Sequence, residues 1–278
     1  MNDIVLEISD TEFEMYADDS THFTAAKTVT EVSCRLTSSS LPLTRWISEN
    51  RMILNIEKTD SMLLCSKQKY RSLKESVNDF SVELSGQPIN VVQSHKLLGL
   101  HLDAHMTWDI HINNLCQKLH SRLFLFNKIK YLLSWDAKVL FFNGLVQPSI
   151  DYCCTVWGNC SKQNLKRIHR IMKLFGRSML GVKRPRDIST VDLFRQLNWL
   201  PVNERIKYMQ CLLVFKCING LVPGYLSSYF KSLTSTHQYH TRLSASAGLQ
   251  QITPKTGQGA RAFRIQGADL WKIGRAHV

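Results

Sequence analysis

Tyr16-Ala17-Asp18-Asp19 sets two carboxylates side by side in the chain. Adjacent aspartates at the tip of a tight turn present oxygen ligands at one point. Hard divalent cations such as Mg²⁺ take such ligands while keeping several waters. Two ions of this kind, flanking a phosphate, stabilise both the attacking and the leaving oxygen of phosphoryl transfer. Aspartate is also a common turn residue, and a bare Asp-Asp pair more often reflects turn chemistry than a metal site. The surroundings distinguish this pair: an apolar strand leads in, an aromatic stands two residues before Asp18, and a polar-aromatic strand leads out.

The elements that must hold the pair follow from local pattern. Phe13, Met15 and Ala17 alternate with Glu12, Glu14 and Tyr16, the period of a strand. Asp18-Asp19-Ser20 supplies turn residues, and residues 21–24 form the return strand. Thr28 and Glu31 match a capping box. Val32, Leu36, Leu43 and Ile47 then fit one helical face to about Asn50, with Pro42 predicting a kink or break. Met52–Ile56 and Ser61–Cys65 read as a further strand pair, and residues 66–79 as a loop. Ser85-Gly86 makes a turn between two short strands, and Lys96–Leu102 is a third apolar run containing Gly99. After Trp108 the period is helical, with further helices over 136–146, 161–180, 189–197 and 203–218. Beyond about residue 232 the apolar pattern fades into a loosely ordered tail.

At this point the chain resembles the reverse transcriptases of non-LTR, LINE-like retrotransposons of the jockey and CR1 groups. Tyr16-Ala17-Asp18-Asp19-Ser20 looks like their central motif, and Asn2-Asp3-Ile4 like the segment before it. Trp46–Asn50 and Leu54-Asn55-Ile56-Glu57-Lys58-Thr59 look like the stretch after it, and His95–Asp103 like the next conserved element. Tyr152, Val156-Trp157-Gly158 and Leu197–Pro201 fit the family's helical region. The pieces occur in order over about residues 2–205.

The resemblance implies an α+β fold: a partial polymerase palm of antiparallel strands with a helix over 1–106, a basic thumb-like helical region over 107–231, and the tail over 232–278. It implies an RNA-directed DNA polymerase using Mg²⁺ or Mn²⁺, an RNA template, a DNA primer and deoxynucleoside triphosphates. Asp18 and Asp19 would be catalytic metal ligands, and Tyr16 would lie beside the primer end or incoming nucleotide. Lys58 would balance charge on the leaving pyrophosphate, against the plainer reading of a solvated turn lysine. Leu98 and Gly99 match the element that grips the primer strand. The family's other metal-binding aspartate lies on an earlier strand, whereas 15 residues precede Tyr16 here. Asp3 and Asp10 lack the surrounding pattern. The expectation is a fragment that does not polymerise alone. The alternatives are a non-enzymatic nucleic-acid-binding relic and, more weakly, a structural helical protein with chance matches.

Charge separates along the chain. Residues 1–60 carry 5 Lys/Arg against 11 Asp/Glu, and residues 111–278 carry 25 against 6. Lys166, Arg167, Arg170, Lys173 and Arg177 recur at helical spacing, and Lys183, Arg184 and Arg186 crowd the next loop. Such a face suits a phosphate backbone. The eight cysteines show no CxxC pair and no disulfide framework, which points to a reduced, intracellular setting, cytoplasmic or nuclear. Cys153, Cys154, Cys160 and His169 fit no zinc spacing and read as core, as do Cys211 and Cys217. Trp108, Trp135, Trp157 and Trp199 read as packing anchors. No apolar run reaches the roughly 18 residues of a membrane span. Residues 272–278, Lys-Ile-Gly-Arg-Ala-His-Val, match the translation of a sequencing-library adapter, which would give them no biological role.

The basic helical half predicts an RNA–DNA duplex affinity that falls steeply between about 50 and 200 mM salt, as for any binder that releases counterions from phosphates. Fluorescence anisotropy measures it, and a flat salt response would exclude this use of the cations.

Overall fold

Thr28 starts the first long helix by accepting a hydrogen bond from the Glu31 N–H at 3.2 Å, so the expected cap forms on its threonine side. The Glu31 carboxylate turns instead to Arg35, at 2.6 Å. The computed structural model describes residues 11–17, 19–233 and 248–275. The chain divides after Met106 into two compact units.

In the first unit a hairpin, β1 (Glu12–Tyr16) and β2 (Asp19–Phe23), precedes helix α1 (Val29–Glu49). Then come β3 (Asp60–Ser61), α2 (Lys67–Leu73) and five short strands: β4 (Glu83–Leu84), β5 (Gln87–Pro88), β6 (Asn90–Val91), β7 (Ser94–Leu97) and β8 (Leu100–Asp103). Among the described residues the strands form separate two-stranded ladders. Three are antiparallel, while β3 and β6 pair in parallel.

Helix α1 serves two apolar clusters. Val29 packs with Phe80 and Val82, joined by Val32, Leu36 and Ile89, while Leu43 and Trp46 pack with Phe13, Met15 and Met52. Between them a stripe of hydroxyls meets the backbone before and at β4. Ser33 Oγ accepts from the Ser81 N–H, Thr37 Oγ1 accepts from the Glu83 N–H, and Ser40 Oγ lies 3.1 Å from the Glu83 carbonyl. The spacing i, i+4, i+7 puts all three on one helical face. This satisfies backbone groups that no neighbouring strand pairs.

Four local expectations need correction. Helix α1 is not broken at Pro42. Serine hydroxyls bond the carbonyls of Arg35 and Thr37 in the preceding turns, and Leu43 and Trp46 are buried just beyond the proline. Tertiary burial there outweighs the proline penalty of about 3 kcal/mol. Met52–Ile56 does not pair with Ser61–Cys65. Asn55 caps a 3₁₀ turn over Ile56–Lys58, and β3 pairs with β6 instead. Residues 67–77 are helical rather than loop, and Lys96–Leu102 is a hairpin turning at Leu98-Gly99 rather than one strand.

The second unit is helical: α3 (Asp109–Ile129), α4 (Trp135–Phe141), a π turn over Phe142–Val146, α5 (Gln147–Asp151), α6 (Cys154–Trp157), α7 (Lys162–Leu180), α8 (Thr190–Gln196), α9 (Val202–Ile218), α10 (Gly224–Ser227) and α11 (Phe263–Arg275). Helices α3 and α7 run alongside in the same direction. Asp109 meets Asn164 at their starts, Phe126 meets Phe175, and Lys130 reaches Ser178 at their ends. The Phe175 ring also meets Phe142, on which Trp199 stacks at 3.7 Å. Gly176 admits α8 closely, because a Cβ there would lie 2.8 Å from Leu197. No helix among the described residues is long and apolar enough to cross a membrane.

Residues 248–275 do not form a loose tail. Leu249 and Ala268 are buried with Val214, Cys217 and Phe230, and Trp271 packs against them. Arg261 Nε donates to the Asn159 carbonyl, the Asn159 amide donates back to the Arg261 carbonyl, and Trp108 Nε1 donates to Asn159 Oδ1 at 2.8 Å. The pattern fades in sequence because few residues of this segment, among them Leu249, Phe263, Ala268 and Trp271, meet the core. Helix α11 overlaps the start of the adapter-like run, and residues 276–278 lie outside the described residues.

Phe175→Ala is expected to destabilise the helical unit by about 3–5 kcal/mol, the cost of emptying a fully buried aromatic site. Leu132→Ala, at a position 86% exposed, should cost less than about 0.5 kcal/mol. Urea unfolding followed by circular dichroism compares the two.

Candidate active site and nucleic-acid surface

A two-residue loop joins strands whose register is set from below. Phe13 opposes His22 and Met15 opposes Ser20 on the face toward α1. Tyr16 opposes Asp19 on the outer face, which also carries Glu12 and Glu14. β1 therefore ends at Tyr16 and β2 begins at Asp19, so Asp19 and Ser20 belong to the return strand rather than to the expected Asp18-Asp19-Ser20 turn. Ala17 takes a left-handed backbone, φ 54°. Asp18 itself, with Asn2, Asp3, Ile4 and Asp10, lies outside the described residues.

Tyr16 is 67% exposed and Asp19 is exposed beside it. The hairpin is docked by more than apolar contact. His22 Nε2 lies 3.2 Å from Ser39 Oγ and also bonds Thr11 Oγ1, while its ring meets Phe13 edge-on. Burial holds the His22 pKa below its usual value.

Lys58 lies on the 3₁₀ turn. The Asn55 side chain accepts from the Lys58 N–H at 3.2 Å, and Thr59 Oγ1 donates to the Asn55 carbonyl at 2.8 Å. Asn55, Lys58 and Thr59 thus build one self-capped turn, with the Lys58 side chain exposed. Asp60 follows directly. One oxygen accepts from Asn90 and the other lies 3.0 Å from His95 Nδ1 on β7. The Lys58 turn is therefore bonded to the hairpin whose tip is Leu98-Gly99. Both tip residues have positive φ, 45° and 84°, and Leu98 is 43% exposed. Asp60 lies outside the motif stretches of the sequence, and Asn55 and Trp46 lie within them as positioning residues. The signal for Asn55 was the asparagine three residues before Lys58, a common capping arrangement.

Among the described residues no three His, Cys, Asp or Glu side chains gather as a metal cluster. The exposed Asp19 carboxylate is an oxygen-only donor. That chemistry fits a hydrated hard cation better than a softer metal in a closed cage.

In the helical unit the five candidate cations divide. Lys166, Arg170, Lys173 and Arg177 follow i, i+4, i+7, i+11 and form one stripe opposite the buried Ile168, Met172, Phe175 and Met179. Arg167 is turned by about 100° from Lys166 and, together with Arg170 of the stripe, lines a groove beside α3. His169 stacks on Phe194 at 5.1 Å, and burial followed by Lys173 lowers its pKa. The thiols of Cys154 and Cys160 are pushed up to about 12 and about 11, mainly by burial, as inert core thiols are. Trp108 and Trp157 are fully buried anchors, whereas Trp135 is 46% exposed and does not act as one.

Over 205 residues, 71% of its length, the chain is 24% identical to the RNA-directed DNA polymerase from mobile element jockey of Drosophila melanogaster. This chain is similar to a jockey-type reverse transcriptase. The matched region spans about a fifth (21%) of that jockey polymerase. No protein-family profile matches the chain, and no solved structure matches it.

Two outcomes follow. A His22 pKa held below the unfolded value of about 6.5 means neutral histidine contributes stability above that pH. The contribution is lost as pH falls through the lower folded-state value. The NMR titration of His22 should have a midpoint below 6.5, and His22→Gln should flatten the acid-side loss of stability. Asn55→Ala should cost about 1 kcal/mol by uncapping the Lys58 turn, read as lost amide protection at Lys58 and Thr59 in hydrogen exchange.

Proposed function

We infer that this chain is a section of an RNA-directed DNA polymerase of a non-LTR retrotransposon, acting in two-metal nucleotidyl transfer together with parts outside these 278 residues. The observation that carries the reading is the acidic hairpin: Tyr16 and Asp19 paired at its end, and the whole docked on α1 through Trp46 and His22. The likeness to the jockey polymerase supports it.

In this reading the first unit is part of a palm and the second a thumb. Asp18 and Asp19 would hold Mg²⁺ or Mn²⁺, which when bound supplies charge stabilisation on the phosphate oxygens. Tyr16 borders the position of the primer end. The Lys58 ammonium neutralises charge on the departing pyrophosphate. The Leu98-Gly99 tip, where glycine leaves no Cβ in the way, lets backbone approach a primer phosphate. The cationic stripe of α7 holds the template–primer duplex through its phosphates without reading sequence. An intracellular compartment, cytoplasmic or nuclear, suits this role.

A two-metal site needs a further carboxylate beside the pair, so the 278-residue chain is expected to extend a DNA primer on RNA no better than its Asp18→Ala variant. In the assembled polymerase the same change, or Asp19→Asn, should reduce extension by about a hundredfold or more, the scale of losing charge stabilisation in a transition state. Gel-based primer extension in Mg²⁺ reads both. Robust extension by the chain alone would overturn the dependence on outside parts. An assembled polymerase indifferent to Asp18 would leave only the nucleic-acid-binding relic.

A further inference from the structure

The α7 cations do not act as one uniform stripe, because a groove of about 300 Å³ opens between α3 and α7 and takes two of them. On the α3 side Asn113, Gln117 and His120 follow i, i+4, i+7 and form one exposed row. On the α7 side stand Arg167 and Arg170. Cys116 and Ile171 complete the lining, and no carboxylate contributes to it.

The two guanidiniums are three residues apart on one helix, where like charges repel. Arg167 bonds the uncharged Asn164 Oδ1 at 3.4 Å, and Asp109, the acid closest along that chain of bonds, is already engaged by the Asn164 amide at 2.7 Å. Among the described residues Arg170 makes no ion pair. By contrast, Arg205 is matched by Asp151 through two bonds, at 3.0 and 2.7 Å. Two uncompensated guanidiniums, two carboxamides and an imidazole around a concave space match a tetrahedral oxyanion. Arginine forks bind phosphate oxygens through paired N–H donors.

We propose that the α3–α7 groove is a discrete phosphate-binding site that seats one backbone phosphate of a nucleic-acid duplex, with Arg167 and Arg170 as its charged donors and His120, Asn113 and Gln117 as further hydrogen-bond donors. It deepens the functional reading above and rests on it for the source of the phosphate. Both rows stand on long helices packed against each other through Phe126 and Phe175. The site is therefore preformed, unlike the flexible lysines of an open helix face.

The test uses the full chain, a labelled RNA–DNA duplex and, separately, inorganic phosphate and a deoxynucleoside triphosphate. Arg170→Gln is the main variant, because Arg170 is exposed and holds no partner that folding needs. Arg167→Gln is the second, and Lys216→Gln, an exposed cation on α9, is the control. Each groove variant should lower the slope of log affinity against log salt by roughly one and weaken duplex binding about eightfold at 0.1 M salt, one phosphate contact's share. Lys216→Gln should change neither. Duplex binding by the parent chain with an unchanged slope in both groove variants would overturn the site and leave the polymerase reading standing. Failure of the parent chain to bind duplex, with inorganic phosphate or the triphosphate bound and lost in the variants, would replace the backbone phosphate by a free one and count against the polymerase reading. Binding of none of the three probes would overturn both.

Discussion

Trp46 holds the acidic hairpin in place. A two-stranded hairpin of five-residue strands is marginal in water by itself, and here the face carrying Phe13 and Met15 is buried against Trp46 and Leu43 of α1. That contact fixes which face of β1 and β2 is apolar. A one-residue slip would turn Phe13 and Met15 to solvent and Glu12, Glu14 and Tyr16 to the helix. The position of Asp19 opposite Tyr16 is thus a consequence of packing one layer beneath it. The residue that matters most for the carboxylates is an indole on another element.

The same logic extends through the first unit. The hydroxyl stripe of Ser33, Thr37 and Ser40 meets the backbone of 81–83, so α1 is tied at its middle as well as by its two apolar clusters. Asp60 joins the self-capped Lys58 turn to β7 through His95 and to β6 through Asn90. Lys58 and Leu98-Gly99 sit on tight turns, and Tyr16 and Asp19 stand at the paired ends of β1 and β2. Turns project side chains beyond the apolar layer, and the short ladders behind them supply rigidity.

In the helical unit a different constraint operates. Ile168, Met172 and Phe175 must face inward to meet α3 and Phe142, so every residue half a turn away is forced outward. Lys166 and Arg170 there give an exposed charged face, with Lys173 and Arg177 half-buried along it. The one-third turn between Lys166 and Arg167 brings Arg167, beside Arg170, to the groove against α3, while Lys166 and Lys173 do not line it. Asn159 performs the corresponding service at the other end of the chain, joining Trp108 to Arg261 and so bringing residues more than a hundred positions apart into one network.

Much of this was written locally. The β1–β2 alternation, the Thr28 cap, the Ser85-Gly86 turn and the long helices from Trp108 onward are encoded by residues within one or two turns of each other, where period and capping act directly. The carboxylate pair, the Lys58 motif and the inventory of cations were equally legible, because they depend on residue type and order alone. Tertiary structure decided the rest. Pro42 stays inside a helix because Leu43 and Trp46 are buried beyond it. Asp60–Ser61 pairs with Asn90–Val91 because a two-residue strand has no register of its own and takes the partner that the fold presents. Residues 248–275 are ordered by contacts with α9 and Asn159, which no local pattern announces. Arg167 leaves the stripe for a groove that exists only once α3 lies beside α7, since spacing along a helix gives direction, and only the neighbouring element turns a direction into a site.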